Sequence, residues 1–381
     1  MKIGVITQPL HSNYGGLLQA YALQMVLTKM GHEAIVLDRH PVPPTWKDKA
    51  LAPVKTAVFR CLGRQKNRLF FPFFPTDAQK ETITHNTSVF IHEHIKKTKN
   101  IYSTNVLRRV VAEEHLDAIM VGSDQVWRPS YSNVKNCFLD FLDKSSQVRR
   151  VAYAASFGVN KWMFNPKLTH KCAQLAQRFD AISVREDSGV ELCNEFLGVE
   201  AVHVLDPTLL LEPDDYRSLV IENNQRQNAG NLMTYILDPS VKKNTAIQQV
   251  AKKLNLTPFS VMPSIKLNHE TQDRLNDCVF PRVSQWLSGY RDAKFVVTDS
   301  FHGCVFSILF NIPFIAIGNK QRGMTRFNSL LRQFNLTERL ISSPDDLTYN
   351  LIQERINWDK VNKIHSKLKI ESLGFLIENL K

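Results

Sequence analysis

Two α/β domains, each built on a parallel sheet and facing the other across a cleft, are the fold class that this sequence predicts. Three observations carry the expectation. The opening reads strand, glycine turn, helix, strand: residues 2–7, then Asn13-Tyr14-Gly15-Gly16, apolar residues at helical spacing over 17–30, and a second strand at 34–37; that order argues for a parallel sheet. Each strand of the first half runs into small or polar residues, which in open α/β sheets gather on the carboxyl rim where ligands bind. A length of 381 residues exceeds one ordinary core and suits two.

Taken in order, Gly31 stops the first helix. Strands follow at 117–121, running into Gly122-Ser123-Asp124-Gln125, at 150–155, running into Ser156-Phe157-Gly158, and at 181–184, running into Arg185-Glu186 and a helix from about Asp187. A strand at 202–205 ends at Asp206-Pro207, where the second domain begins. There the pattern predicts strands at 232–237, 258–262, 294–298 and 313–317, and helices at 247–254, 283–290, 300–310, 326–334 and from 358 onward. The expected division is 1–205, with a basic insertion at about 41–110, then 206–360, then a final helix at 361–381.

Hydrophobic residues make up 43% and charged residues 22%, a globular composition. No run of eighteen apolar residues occurs, so no spanning helix is expected. The opening MKIGVITQPL lacks a secretory pattern, and the expected location is the cytoplasm. Cys61, Cys137, Cys172, Cys193, Cys278 and Cys304 form no C-x-x-C pair, which excludes zinc-ribbon and thioredoxin-like motifs and fits reduced thiols. His85, His92, His94 and His115 match no ligand spacing, and no metal is expected.

The net charge of +12 is uneven: residues 47–110 hold thirteen Lys/Arg against four Asp/Glu. Arg60, Arg64, Lys66 and Arg68 precede the apolar Phe70, Phe71, Phe73 and Phe74. Two readings stand. The stretch rests on an anionic membrane, giving peripheral contact at the inner membrane face, or it is a solvated insertion whose phenylalanines plug the core. No nucleic-acid-binding module occurs, and nucleic acid is not an expected partner.

The strongest local signal is KFVVTDSFHG over 294–303. A buried strand stops at Asp299, Ser300 is placed to cap a helix, and His302 falls in its first turn, where free N–H groups favour an anion. His302 is thus a candidate phosphate ligand or proton donor; the alternative is a histidine that caps or packs between domains. Arg185, at a strand's carboxyl end, is suited to bind carboxylate or phosphate in a fork, or else to bridge to Glu186, Asp187 or Asp206. Ser123, Asp124, Gln125 and Trp127 offer hydrogen-bonding groups and an aromatic plate of the kind that holds sugars; equally, they form an Asx-turn over a buried tryptophan. Lys320, Arg322 and Arg326 are candidate anion ligands from the second domain.

These residues together carry a family resemblance. Asn13-Tyr14-Gly15-Gly16 with Leu18-Gln19-Ala20-Tyr21-Ala22-Leu23, Val121 through Trp127, Tyr153 through Gly158, Ile182 through Glu186, Leu205-Asp206-Pro207-Thr208 and Thr298 through Gly303 resemble, in order, the polysaccharide pyruvyl transferase family. The resemblance implies two Rossmann-like domains in a GT-B-like arrangement. It also implies transfer of a pyruvyl group from phosphoenolpyruvate to two hydroxyls of a sugar, giving a cyclic ketal, with no further cofactor. His302 matches the family histidine and Arg185 the family arginine. Many members carry an arginine two residues before the histidine; here Ser300 stands there. Either Arg326 substitutes or the donor site differs.

On this reading Ser300, Phe301, Gly303 and Arg326 bind the donor, Asn13, Tyr14, Gly15, Ser123, Gln125 and Trp127 bind the acceptor, and Asp124 takes the hydroxyl proton. The acceptor is a sugar or a lipid-linked oligosaccharide of surface-polysaccharide or capsule biosynthesis. Two other readings compete: a glycosyltransferase of the same architecture using a nucleotide-sugar donor, and a non-catalytic sugar-binding protein of the same fold.

Overall fold

The computed structural model describes residues 1–61, 72–222, 227–318 and 323–381. Its first sheet has six strands, β1 Lys2–Ile6, β2 Glu33–Val36, β3 Ala118–Val121, β4 Arg149–Ala155, β5 Ala181–Val184 and β6 Val202–His203, in the order β2-β1-β3-β4-β5-β6. Its second has five, β7 Leu232–Tyr235, β8 Pro258–Ser260, β9 Phe295–Thr298, β10 Phe314–Ile317 and β11 Leu340–Ile341, in the order β11-β10-β9-β7-β8. Every strand pairing is parallel. The runs AIMV, LMTY, FVVT and FIAI are buried from end to end, because helices cover both faces of a parallel sheet and leave no strand face in water.

Both sheets change winding direction at one place. In the first, β1 lies between β2 and β3; in the second, β7 lies between β8 and β9. Loops leaving the carboxyl ends on either side of such a switch diverge and open a crevice. The loops after β1 and β3 and those after β7 and β9 line the same gap, and the site is there.

The two halves share one apolar cluster. Tyr14, at the start of the helix Tyr14–Lys29, stacks on Trp286 of the helix Val283–Asp292, with centroids 5.7 Å apart and planes 18° from parallel. Its hydroxyl donates to Pro281 O at 2.8 Å. Such ring pairs add about 0.5–1.5 kcal/mol each beyond their buried area.

The final helix, Trp358–Asn379, returns to the first half. Its Ser372 Oγ accepts from Leu205 N at 3.0 Å, and its Phe375 lies 6.2 Å from Tyr153. Among the described residues no helix is long and apolar enough to cross a membrane.

The structure departs from sequence expectation in several places: the helices Thr104–Glu113, Pro166–Ala176 and Pro213–Glu222 were not foreseen, and the strands expected at 202–205 and 258–262 end at His203 and Ser260. Ser300 precedes the helix Phe301–Leu309, but its side chain makes no capping bond. β7 ends at Tyr235 rather than 237, because Leu237 N turns to donate to Asp299 Oδ1 at 2.6 Å. β11 went unforeseen. So did the helix Asp77–His94 within the basic insertion, which is capped by Thr76 and Gln79 in reciprocal bonds of 3.1 and 2.9 Å. This helix braces the halves: Phe280 N donates to Ile83 O at 2.9 Å and Asn86 Nδ2 to Phe280 O at 2.8 Å. Phe73 packs edge-on against His269. Arg64, Lys66, Arg68, Phe70 and Phe71, on which the membrane expectation rests, lie outside the described residues, as do Lys320 and Arg322.

Candidate active site

Arg185 leaves the end of β5 and meets a ring of carboxylates. Its Nη1 donates to Asp206 Oδ2 at 2.7 Å and its Nη2 to Asp124 Oδ1 at 3.3 Å, with Glu186 Oε1 3.8 Å from Nε. On its other side the Phe301 ring lies 4.6 Å from the guanidinium carbon, and the same ring lies 5.6 Å from that of Arg326, on the helix Thr325–Gln333. Phe301 thus spaces two cations that would otherwise repel at close range. The Arg185 side chain is only 1% exposed. Of the two roles open to it, the ion pair to Asp206 and Glu186 is the one formed, and Arg185 does not line the cavity.

His302 reaches the same cluster from the second half, with Nε2 3.6 Å from Asp206 Oδ2. Gly15 makes room for it: a Cβ there would fall 2.0 Å from His302 Nδ1, so only glycine lets the first helix approach the ring. Asp206 Oδ1 accepts from Thr208 N at 3.0 Å and Thr208 Oγ1 at 2.7 Å. Burial would raise the Asp206 carboxyl, but His302, Arg185 and Thr208 outweigh it and hold it far below the usual range. Asp124 is likewise lowered, burial being overcome by Arg185, His302 and Arg326. Glu186 goes the other way: burial raises it, Oε1 accepts from Ser156 Oγ, and Oε2 has no hydrogen-bond partner. Arg326 is pulled down to about 10, by burial above all and by Arg185 next, so an added anion would be welcome beside it.

A cavity of about 380 Å³ opens on this cluster, lined from the first half by Asn13, Asp124 and Gln125 and from the second by Ser300, Phe301, His302 and Arg326. These are seven of the residues singled out from sequence. Of the candidate donor- and acceptor-binding residues, Tyr14, Gly15, Ser123, Trp127 and Gly303 stay behind the wall. Trp127 is no accessible plate: it is fully buried, stacked 4.8 Å from Phe138, and its Nε1 donates to Cys137 O at 3.1 Å. Tyr14 is locked in the shared core, and Gly15 serves the fit of His302. Ser123 is buried, its Oγ donating to Ala154 O at 3.0 Å. Gly303 backs against Thr298, whose Oγ1 a Cβ would approach to 2.1 Å.

Sequence reasoning missed Gln8, His11, Ser130, Tyr131, Leu237 and Asp299 in the lining. The signal for the first four was position: they follow β1 and β3 on the switch-point rim. Asp299 accepts from Leu237 N, Asp238 N (3.1 Å) and Lys243 Nζ (2.7 Å), so it holds the loop after β7. Among the described residues no group of three His, Cys, Asp or Glu is placed to hold a metal ion.

A family model described as polysaccharide pyruvyl transferase matches residues 13–321. No curated protein matches. Among solved structures, a glycosyltransferase from Rickettsia africae superimposes with a TM-score of 0.51 at 10% identity, covering 100% of this chain and 96% of that one. A UDP-GlcNAc 2-epimerase from Neisseria meningitidis, bound to UDP-GlcNAc, gives 0.50 at 10% identity, covering 100% and 99%. At such identities the likeness shows the fold alone, two Rossmann-like halves in the GT-B arrangement.

Proposed function

Since the chain belongs to the polysaccharide pyruvyl transferase family, we propose that the 380 Å³ cavity binds phosphoenolpyruvate and passes its pyruvyl group to two hydroxyls of a sugar as a cyclic ketal. The observation that carries this reading is the convergence of His302 and Arg326 from one half with Asp124 from the other around one cavity. Phosphoenolpyruvate bears a carboxylate and a phosphate. Arg326, His302 and the N-terminal turn of the helix Phe301–Leu309 supply the positive groups. Arg326 takes the place that the arginine before the histidine has in many members, and Arg185 is a positioning residue that orients Asp124 and Asp206 from behind.

The chemistry needs three proton movements. A proton delivered to the methylene carbon makes C2 an oxocarbenium-like electrophile, and His302, held beside Asp206, is the proton donor. A sugar hydroxyl attacks C2, and its proton passes to Asp124. Phosphate then leaves from C2, the second hydroxyl closes the ring, and its proton leaves with the phosphate. One methyl, two C–O bonds and one inorganic phosphate are formed per ketal.

Two variants test this. His302→Ala is expected to lower phosphate release about 10²–10⁴-fold while circular dichroism stays unchanged. Arg326→Gln is expected to abolish the thermal shift that phosphoenolpyruvate gives the wild type, about 2.7 kcal/mol at a hundred times its dissociation constant. Wild-type turnover by His302→Ala would remove that residue from the mechanism. NMR of the product from phosphoenolpyruvate and a panel of sugars identifies the ketal.

A further inference from the structure

A second cavity, of about 660 Å³, lies on the carboxyl rim of the first sheet and shares Gln8, His11, Ser130 and Tyr131 with the first. We propose that it holds the acceptor saccharide, with Tyr131 as the ring on which the sugar's apolar face packs and His11 as a neutral hydrogen-bond donor at the junction. The inference rests on the reading of the smaller cavity as the donor site.

The two walls differ in charge chemistry. The smaller cavity gathers Arg326, His302 and Asp124. The larger places Tyr131 and three prolines, Pro9, Pro41 and Pro129, among neutral hydrogen-bonding side chains such as Ser132 and Asn133. Arg39, the one arginine among the described residues that line it, is committed to the protein: Nε donates to Asn136 Oδ1 at 3.0 Å and Nη1 to the carbonyls of His40 and Ile101. Rings with neutral donors and acceptors suit an uncharged polyol, whose C–H faces are apolar and whose edge carries hydroxyls.

Tyr131 is 44% exposed, and the Arg128 guanidinium lies 4.4 Å from its ring centre. Arg128 is itself held by Gln125 Oε1 at 2.7 Å. The ring is therefore accessible and backed by a guanidinium, unlike the sealed Trp127.

His11 has its tautomer set locally. Ser12 N donates to Nδ1 at 2.7 Å, which makes Nδ1 an acceptor and leaves the proton of the neutral ring on Nε2. Such a ring can donate to a hydroxyl oxygen but cannot remove the hydroxyl proton. His11 thus orients the acceptor, and Asp124 remains the base.

The test is saturation-transfer NMR on the full chain with the methyl glycosides of glucose, galactose, mannose and N-acetylglucosamine, beside the phosphoenolpyruvate thermal shift. At least one glycoside is expected to bind the wild type and Tyr131→Phe alike. Tyr131→Ala should weaken it about tenfold, and Asn133→Ala, at a residue that lines the larger cavity and not the smaller, should weaken it with the phosphoenolpyruvate shift retained. His11→Ala should weaken the glycoside and leave the pH profile of turnover unmoved, as a neutral donor requires. Absence of glycoside binding, unchanged binding by Tyr131→Ala, or loss of the phosphoenolpyruvate shift in Asn133→Ala overturns the site. A wild type that binds a glycoside but shows no phosphoenolpyruvate shift overturns the donor reading instead, and with it the acceptor role.

Discussion

Asp206 and Glu186 are neighbours on Arg185 with opposite protonation preferences, and that contrast has measurable effects. The Asp206 carboxyl is depressed on folding, so the stability it confers is complete above about pH 4 and is lost as pH falls through its lower folded value. Glu186 is raised; the folded state holds its proton more tightly, so its contribution is complete below the unfolded value and is lost as pH rises through the folded one. Asp206→Asn is expected to cost about 3–5 kcal/mol at pH 7, because it strips the nearest counter-charge from a buried guanidinium. Glu186→Gln should cost under about 1 kcal/mol there and cost least at alkaline pH. Urea melts of both variants across pH 5–9 check the ordering. Residue identities alone did not separate these two carboxylates: both are acidic residues near strand ends, and what distinguishes them is the approach of His302, Arg185 and Thr208 to Asp206 against the unpartnered Oε2 of Glu186.

At the scale of elements, the helix Tyr14–Lys29 and the helix Phe301–Leu309 meet through Gly15 and His302. Gly15→Ala adds a methyl where the imidazole already sits. It is expected to lower stability by about 1–3 kcal/mol through overpacking and to reduce turnover as His302→Ala does; a crystal structure of the variant would show the ring displaced. Most strands were legible, since apolar runs bounded by glycine and polar residues have few other readings. Two kinds of feature were not. Trp127 in a polar turn reads equally as a plate or a plug, and the deciding partner, Phe138, is supplied by a later segment. The helix Asp77–His94 buries only Thr87, Phe90 and Ile91, too narrow a stripe to stand out, although Thr76-x-x-Gln79 was a readable start signal.

For the whole molecule, the cluster running from Leu17 and Tyr14 through Trp286 to Phe306 makes the two halves one cooperative unit. Calorimetry is expected to show a single endotherm whose calorimetric and van't Hoff enthalpies agree; two resolved transitions would mean that the halves melt apart. Removal of residues 358–381 should destroy that unit, because it strips Phe375 and Leu376 from the core and Ser372 from Leu205 N. The same terminal helix has a mechanical effect. The polypeptide leaves the first half near Asp206 and comes back along Trp358–Asn379, where Ser372 Oγ accepts from Leu205 N at 3.0 Å and Asn379 O accepts from Arg149 Nη1 at 3.0 Å. A body strapped once can splay in any direction, whereas two straps leave a single swing axis. Any opening of the two halves is expected to follow that axis, with the gap widening at the edge away from both crossings.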